Sequence, residues 1–244
     1  MKHSILILVM FFFSAELSAQ NASEILLKVD RNLSSDNRVF ESSMTISGKR
    51  NSRTISSKTY AVGNNKSFTE YLSPASEKGT KMLKLEKQLW LYSPGSDRTI
   101  QLSGHMLRQS VMGSDLSYED MMDDRKLSEI YDAQVVGEEM IGDRKTILLE
   151  LTARLADVAY HSQRIWVDAE RFVPLKQELF AKGGKLLKRI EMADVVKVQN
   201  RWFPLTMTYK DMLKQGDGTV FKLSNIEFDQ AIPEYIFTKA ALKK

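Results

Sequence analysis

The sequence predicts a mainly β fold with one N-terminal helix, built as a single antiparallel sheet or barrel. Three observations carry this. Apolar and polar residues alternate with period two through many short runs between residues 39 and 228. Turn signals separate these runs at short intervals, with no long helical pattern between them. One segment alone, at the start of the mature chain, carries apolar residues at helical spacing.

In chain order, the first element is a leader. Met1-Lys2-His3 is basic, Ile5 to Phe13 is wholly apolar, and Ser18-Ala19-Gln20 supplies small residues for cleavage. This is the pattern of a secretory signal peptide over residues 1–20. It is too short to span a bilayer, which takes about 20 apolar residues. Residues 21–244 are then expected to form a single domain.

Asn21 and Glu24 have the spacing of a capping box. Ala22, Ile25, Leu26, Val29 and Leu33 follow at helical intervals, predicting a helix over 22–34 whose stripe lies on the sheet. Strands are predicted from Val39 through Ile46, then at 54–62, 66–72, 79–85, 88–92 and 97–102. Gly63-Asn64-Asn65, Glu86-Lys87 and Ser93-Pro94-Gly95-Ser96 provide the turns. The strand period fails between Ser103 and Arg125. Ser103 is read as capping a short helix with Met106, Leu107 and Val111 inward. Ser117-x-x-Asp120 is read as capping a second, which carries Tyr118, Met121 and Met122. Methionines in so short a span suit a cover that accepts varied apolar shapes; the same residues would equally plug a barrel end. Strands resume at 131–138, 144–152, 162–168, 173–181, 186–196, 203–209 and 219–228. Gly183-Gly184 and Gly216-Asp217-Gly218 mark hairpins.

Composition narrows the function classes. There is no cysteine, which removes disulfides, thiol chemistry, Cys-ligated zinc and a lipidated cysteine. A core of this size stands without disulfides in a bacterial periplasm. The net charge is +4, with Lys and Arg scattered among the acids and no basic stripe with stacking aromatics, so nucleic acid is not an expected partner. His105 and His161 lack companion ligands at metal spacing and read as ordinary histidines. Gly113-Ser114-Asp115 lacks the nucleophile elbow. Asp157, His161 and Ser162 are near in sequence only, and no phosphate or dinucleotide loop is present. Asp123-Asp124 and Glu138-Glu139 are adjacent acids that diverge on regular structure and read as solvated. No enzyme, no metal and no cofactor is expected.

What remains is apolar lining. Trp90 and Tyr92 share one strand face, with Leu89 and Leu91 on the other. Leu205, Met207 and Tyr209 share a face of theirs. Strands apolar on both faces are covered on both, leaving open a filled core or a lined cavity. The residues expected to line a cavity or its lid are Met44, Ile46, Leu83, Leu85, Trp90, Tyr92, Met106, Leu107, Val111, Met121 and Met207.

Several runs, in order, carry a resemblance: Ala-Ser-Glu-Ile-Leu at 22–26, Ser-Pro-Ala-Ser-Glu-Lys-Gly-Thr at 73–80, Leu-Trp-Leu-Tyr-Ser-Pro at 89–94 and Gly-Ser-Asp-Leu-Ser-Tyr-Glu-Asp at 113–120. Arg-Ile-Trp-Val-Asp at 164–168, Val-Pro-Leu-Lys at 173–176 and Arg-Trp-Phe-Pro at 201–204 follow. The chain resembles the outer-membrane lipoprotein-sorting protein family, the LolA-like periplasmic carriers, as a divergent branch. The resemblance implies a curved antiparallel sheet forming an incomplete β-barrel, with the N-terminal helix and short lid helices over its concave face. It also implies a periplasmic monomer that carries acyl chains of lipoproteins or other lipids towards the outer membrane. Its implied partners are an inner-membrane lipid or lipoprotein transporter and an outer-membrane acceptor. An envelope interaction module or transporter accessory protein, binding a protein partner on the concave face, is the alternative. One departure stands out. The family's lid-latching arginine follows a Phe on an early strand; Phe68-Thr69-Glu70-Tyr71 has none here. What the resemblance implies for that latch, and for handover to a lipoprotein receptor, therefore lacks its arginine here.

Overall fold

The computed structural model describes residues 21–48 and 51–244. The predicted signal peptide lies outside them. Residues 21–33 form helix α1, matching the predicted helix, although Asn21 is already helical rather than a flanking cap.

Six strands follow as an antiparallel meander: β1 (Asn37–Ser47), β2 (Ser52–Val62), β3 (Lys66–Ser73), β4 (Lys81–Leu85), β5 (Gln88–Ser93) and β6 (Arg98–Leu102). Residues 103–130 break the pattern. They form 3₁₀ turns at Gly104–Arg108 and Val111–Gly113, then α2 (Tyr118–Met122) and α3 (Leu127–Ile130). A second meander runs through β7 (Tyr131–Ile141), β8 (Arg144–Ala153), β9 (Ser162–Asp168), β10 (Pro174–Phe180), β11 (Leu186–Val198), β12 (Arg201–Asp211) and β13 (Thr219–Phe228). β13 pairs antiparallel with β1, with Met44 opposite Phe221, and so joins the two meanders into one 13-stranded sheet.

The sheet does not close. β6 and β7 are its two edges. An open edge invites pairing with other chains, and both edges are blunted. β6 is short, with Arg98 to Gln101 exposed. β7 carries a bulge between Val135 and Gly137, then Glu138 and Glu139.

Register decides which side chains share a face. Thr69 lies opposite Met82, and Met82 opposite Leu91; Phe68 lies opposite Leu83, and Leu83 opposite Trp90. The first set belongs to the inner face, the second to the outer. On the inner face, Ala22, Ile25, Leu26 and Val29 of α1 pack on Ala133, Leu149, Leu151, Ile165 and Val167, all buried. Each large apolar side chain buried this way contributes about 1.5–3 kcal/mol. Polar groups fasten the helix as well. The Asp30 carboxylate accepts the backbone N–H groups of Leu127 and Ser128, both at 2.9 Å, and so caps α3. Asn32 Nδ2 donates to the Arg171 carbonyl at 2.8 Å, and its Oδ1 accepts Trp202 N–H at 3.1 Å.

The outer face of β3–β5 is covered too. Phe237 and Leu242, from 3₁₀ turns at Glu234–Phe237 and Lys239–Lys243, bury Phe68, Leu83 and Trp90. Further round, Trp166 is buried on this side by its surroundings rather than by an element. Its Nε1 donates to Glu139 at 2.7 Å and Lys176 Nζ lies 4.0 Å from the ring centroid.

Candidate functional site

Between α1 and the 103–126 segment the inner face is left partly unfilled. A cavity of about 300 Å³ opens there. Leu89 of β5 and Met192 of β11 both line it, although seven pairing steps separate their strands. Laid flat at about 4.8 Å per step they would stand about 34 Å apart. Sharing one cavity therefore requires the sheet to curl around it.

The floor is apolar where strands from both meanders meet: Phe40, Met82, Met207, Phe221 and Leu223. Hydroxyls on the same face are satisfied in pairs, Ser42 with Ser57 at 2.8 Å and Thr59 with Thr69 at 2.9 Å. Methionines concentrate here: Met82, Met121, Met122, Met192 and Met207 all line the cavity. Long, unbranched and polarizable, they adapt to the shape of an occupant.

The cover is held in two different ways. Residues 110–117 are stapled to the β12–β13 hairpin. Asp115 is buried; its carboxylate accepts the Thr219 hydroxyl at 2.8 Å and Asp211 N–H at 2.9 Å. The Lys214 ammonium donates to the Ser114 carbonyl at 2.7 Å. Gly218, at φ +94°, turns the hairpin where a Cβ would run into the Tyr209 carbonyl oxygen. Residues 118–126 are held by charge. Ser117 and Asp120 form the predicted capping box of α2. Asp120 also pairs with Lys188, and both side chains are at most 10% exposed. It accepts the Tyr160 hydroxyl at 2.5 Å as well. Arg38 pairs with Asp124, Arg125 with Asp123 at 2.6 Å, and Lys84 Nζ donates to the Met122 carbonyl.

Burial sets the electrostatics. The Tyr160 phenol is pushed well above its ordinary pKa by burial first and then by Asp120 beside it. Tyr209, which lines the cavity, is raised mainly by burial, with Asp120 adding to it. Both phenols stay neutral. Burial pushes the Lys84 ammonium down; Asp124 and Asp123 oppose this only in part.

Among the predicted lining residues, Met121 and Met207 line the cavity directly. Met44, Ile46, Met106, Leu107 and Val111 pack beside it, between the sheet and the 103–122 cover. Leu83, Leu85, Trp90 and Tyr92 do not face it. They point outward, onto the C-terminal turns. Both faces of β4 and β5 are apolar, and Lys84 makes the true inner face look like the solvent side.

Other expectations also change. Ser103 flanks the first 3₁₀ turn without capping it by its side chain. Asp123 and Asp124 are paired at the cavity rim rather than free in solvent, and Glu139 is engaged by Trp166. Ser114 is fully buried, and Asp157 pairs with Lys87 and Arg125. Among the described residues no three His, Asp or Glu side chains converge as metal ligands. Lys84, Arg38 and Lys188 escaped the reading of the sequence. The one available signal was a lysine between apolar neighbours, Met82-Leu83-Lys84-Leu85.

Comparisons with known proteins agree with this geometry. A family model described as "Uncharacterized protein" matches residues 63–244. No curated protein matches the chain in sequence. A DUF1329 family protein from Desulfovibrio piger is 24% identical, with 92% of this chain and 99% of that one aligned at a TM-score of 0.82. A putative outer membrane lipoprotein-sorting protein domain from Vibrio parahaemolyticus is 23% identical (93% and 100% covered, TM-score 0.78). A LolA superfamily protein from Nitrosomonas europaea is 26% identical (90% and 98% covered, TM-score 0.75). The chain belongs to the family that the model describes, and its fold is that of the LolA superfamily and the outer-membrane lipoprotein-sorting domain, in a divergent branch.

Proposed function

We propose that this protein is a non-enzymatic periplasmic carrier. It binds acyl chains of lipoproteins or other lipids in the inner-face cavity and shuttles them towards the outer membrane. The observation that carries the reading is a methionine-rich cavity of about 300 Å³ under a cover of short helical turns. An acyl chain gains about 0.8 kcal/mol for each CH₂ removed from water, so a covered apolar groove is sufficient to transport it without chemistry. The likeness to the Vibrio lipoprotein-sorting domain and the LolA superfamily membership of the Nitrosomonas relative point the same way. The predicted leader at residues 1–20 and the lack of cysteine fit a freely shuttling exported protein rather than a lipid-anchored one.

A cavity of about 300 Å³ limits the cargo that the covered form holds, and a bulkier acylated anchor would require residues 118–126 to lift. Mass spectrometry of an organic extract from protein purified without detergent is expected to show a co-purified acyl lipid. No lipid in the extract, together with no saturable displacement of a hydrophobic dye by acyl chains, overturns the carrier reading.

A further inference from the structure

Lys84 is the anomaly of the cavity. It lines the space at 4% exposure, yet its ammonium meets only neutral oxygens: the Asn64 carbonyl, Asn64 Oδ1 at 3.1 Å and the Met122 carbonyl. Every other charge on the lining is matched. Arg38 pairs with Asp124, Asp120 with Lys188, Asp123 with Arg125 at 2.6 Å, and Lys66 with Glu234 at 2.8 Å. The hydroxyls nearby satisfy one another. A buried charge is costly unless paired, and here the paired carboxylates are already engaged elsewhere. The Met122 carbonyl belongs to the cover, so lifting that segment vacates one ammonium donor inside an apolar cavity.

We propose that Lys84 is the head-group anchor of the cavity, taking a carboxylate or phosphate oxygen of a single-chain anionic amphiphile in the place of the Met122 carbonyl. The tail then lies along Met82, Leu89, Met207 and Phe221, which line the same space. The two Asn64 oxygens keep the ammonium aimed inward. A charge-assisted hydrogen bond in a site of low dielectric gives discrimination that tail burial alone does not. This inference rests on the carrier reading and specifies its cargo.

Titration of delipidated protein with laurate, dodecyl phosphate and dodecanol, each displacing a bound fluorescent dye, tests it. The wild type is expected to bind the two anions at least about tenfold more tightly than the alcohol, and the tighter anion identifies the head group. Lys84→Gln is expected to erase that preference, weakening the two anions far more than dodecanol; Lys84→Arg is expected to retain it. Equal affinity for all three ligands in the wild type overturns the anchor and leaves the carrier intact. So does an equal loss for all three in Lys84→Gln, which would make Lys84 only a tie for the cover. No saturable binding of any ligand overturns both. An intact circular dichroism spectrum of Lys84→Gln excludes misfolding as the source of a lost preference.

Discussion

One sheet face is covered in two ways, and the contrast separates core from cavity. Over β7–β9 lies α1, a helix whose Ile25, Leu26 and Val29 pack on Leu149, Leu151, Ile165 and Val167, all at most 4% exposed. Over the joint of the two meanders lie short turns bearing Met112, Met121 and Met122, and there space remains. β-branched and γ-branched side chains on a regular helix pack to crystal-like density. Flexible thioethers on broken turns fill irregular space loosely and adapt. The fastenings differ as well. α1 is tied by Asp30 and Asn32 to backbone groups, whereas the 118–126 cover hangs on side-chain ion pairs.

The largest expected effect comes from the pair that holds the cover. Lys188→Ala leaves Asp120 buried without its ammonium, and such losses cost about 3–5 kcal/mol. Urea denaturation is expected to show that loss, with hydrogen exchange rising in 118–126 before it rises in 21–33. Uniform loosening of both ends would break the contrast.

Core truncation comes next. Leu26→Ala removes a side chain only 1% exposed from a filled interior and is expected to cost about 3 kcal/mol. Met207→Ala, on a wall already bordering space, is expected to cost about 1 kcal/mol, since fewer contacts are lost. Equal costs in the same denaturation assay would mean that the two interiors are alike.

The smallest effect is in pH. Tyr71, Tyr118, Tyr160 and Tyr209, at the covered end, all have phenol pKa values raised by burial; near α1 only Tyr131 is so raised. A raised folded pKa gives stability that is complete below the unfolded value of about 10 and is lost as pH rises through the folded one. Above about pH 10 the covered end is therefore expected to loosen first, seen as a lid-specific increase in exchange after correction for the intrinsic rate. Earlier loosening of α1 would contradict this.

How far the sequence reveals this design depends on the residue pattern. All thirteen strands follow from period-two runs and turn residues, as at Gly183-Gly184. The Ser117/Asp120 capping box is legible because its two partners are local. The cavity wall is less so. In β4 both faces are apolar because the C-terminal turns cover the outer one, and the pattern of Met82, Leu83, Lys84 and Leu85 gives no sign of which side curls inward. The ion pairs of the cover join residues as far apart as Asp120 and Lys188 or Arg38 and Asp124, distances that no local spacing encodes.

If this cavity takes the acyl chain, filling it must abolish binding. Titrating delipidated protein with a fluorescent fatty acid tests it most directly, comparing the wild type with Met207→Trp, whose indole fills the space. Overpacking of this kind costs about 1–3 kcal/mol, so the variant's fold is checked by denaturation first. The expected result is saturable one-to-one binding in the wild type and none in folded Met207→Trp. Saturable binding of equal affinity in both proteins, or in neither, would contradict it.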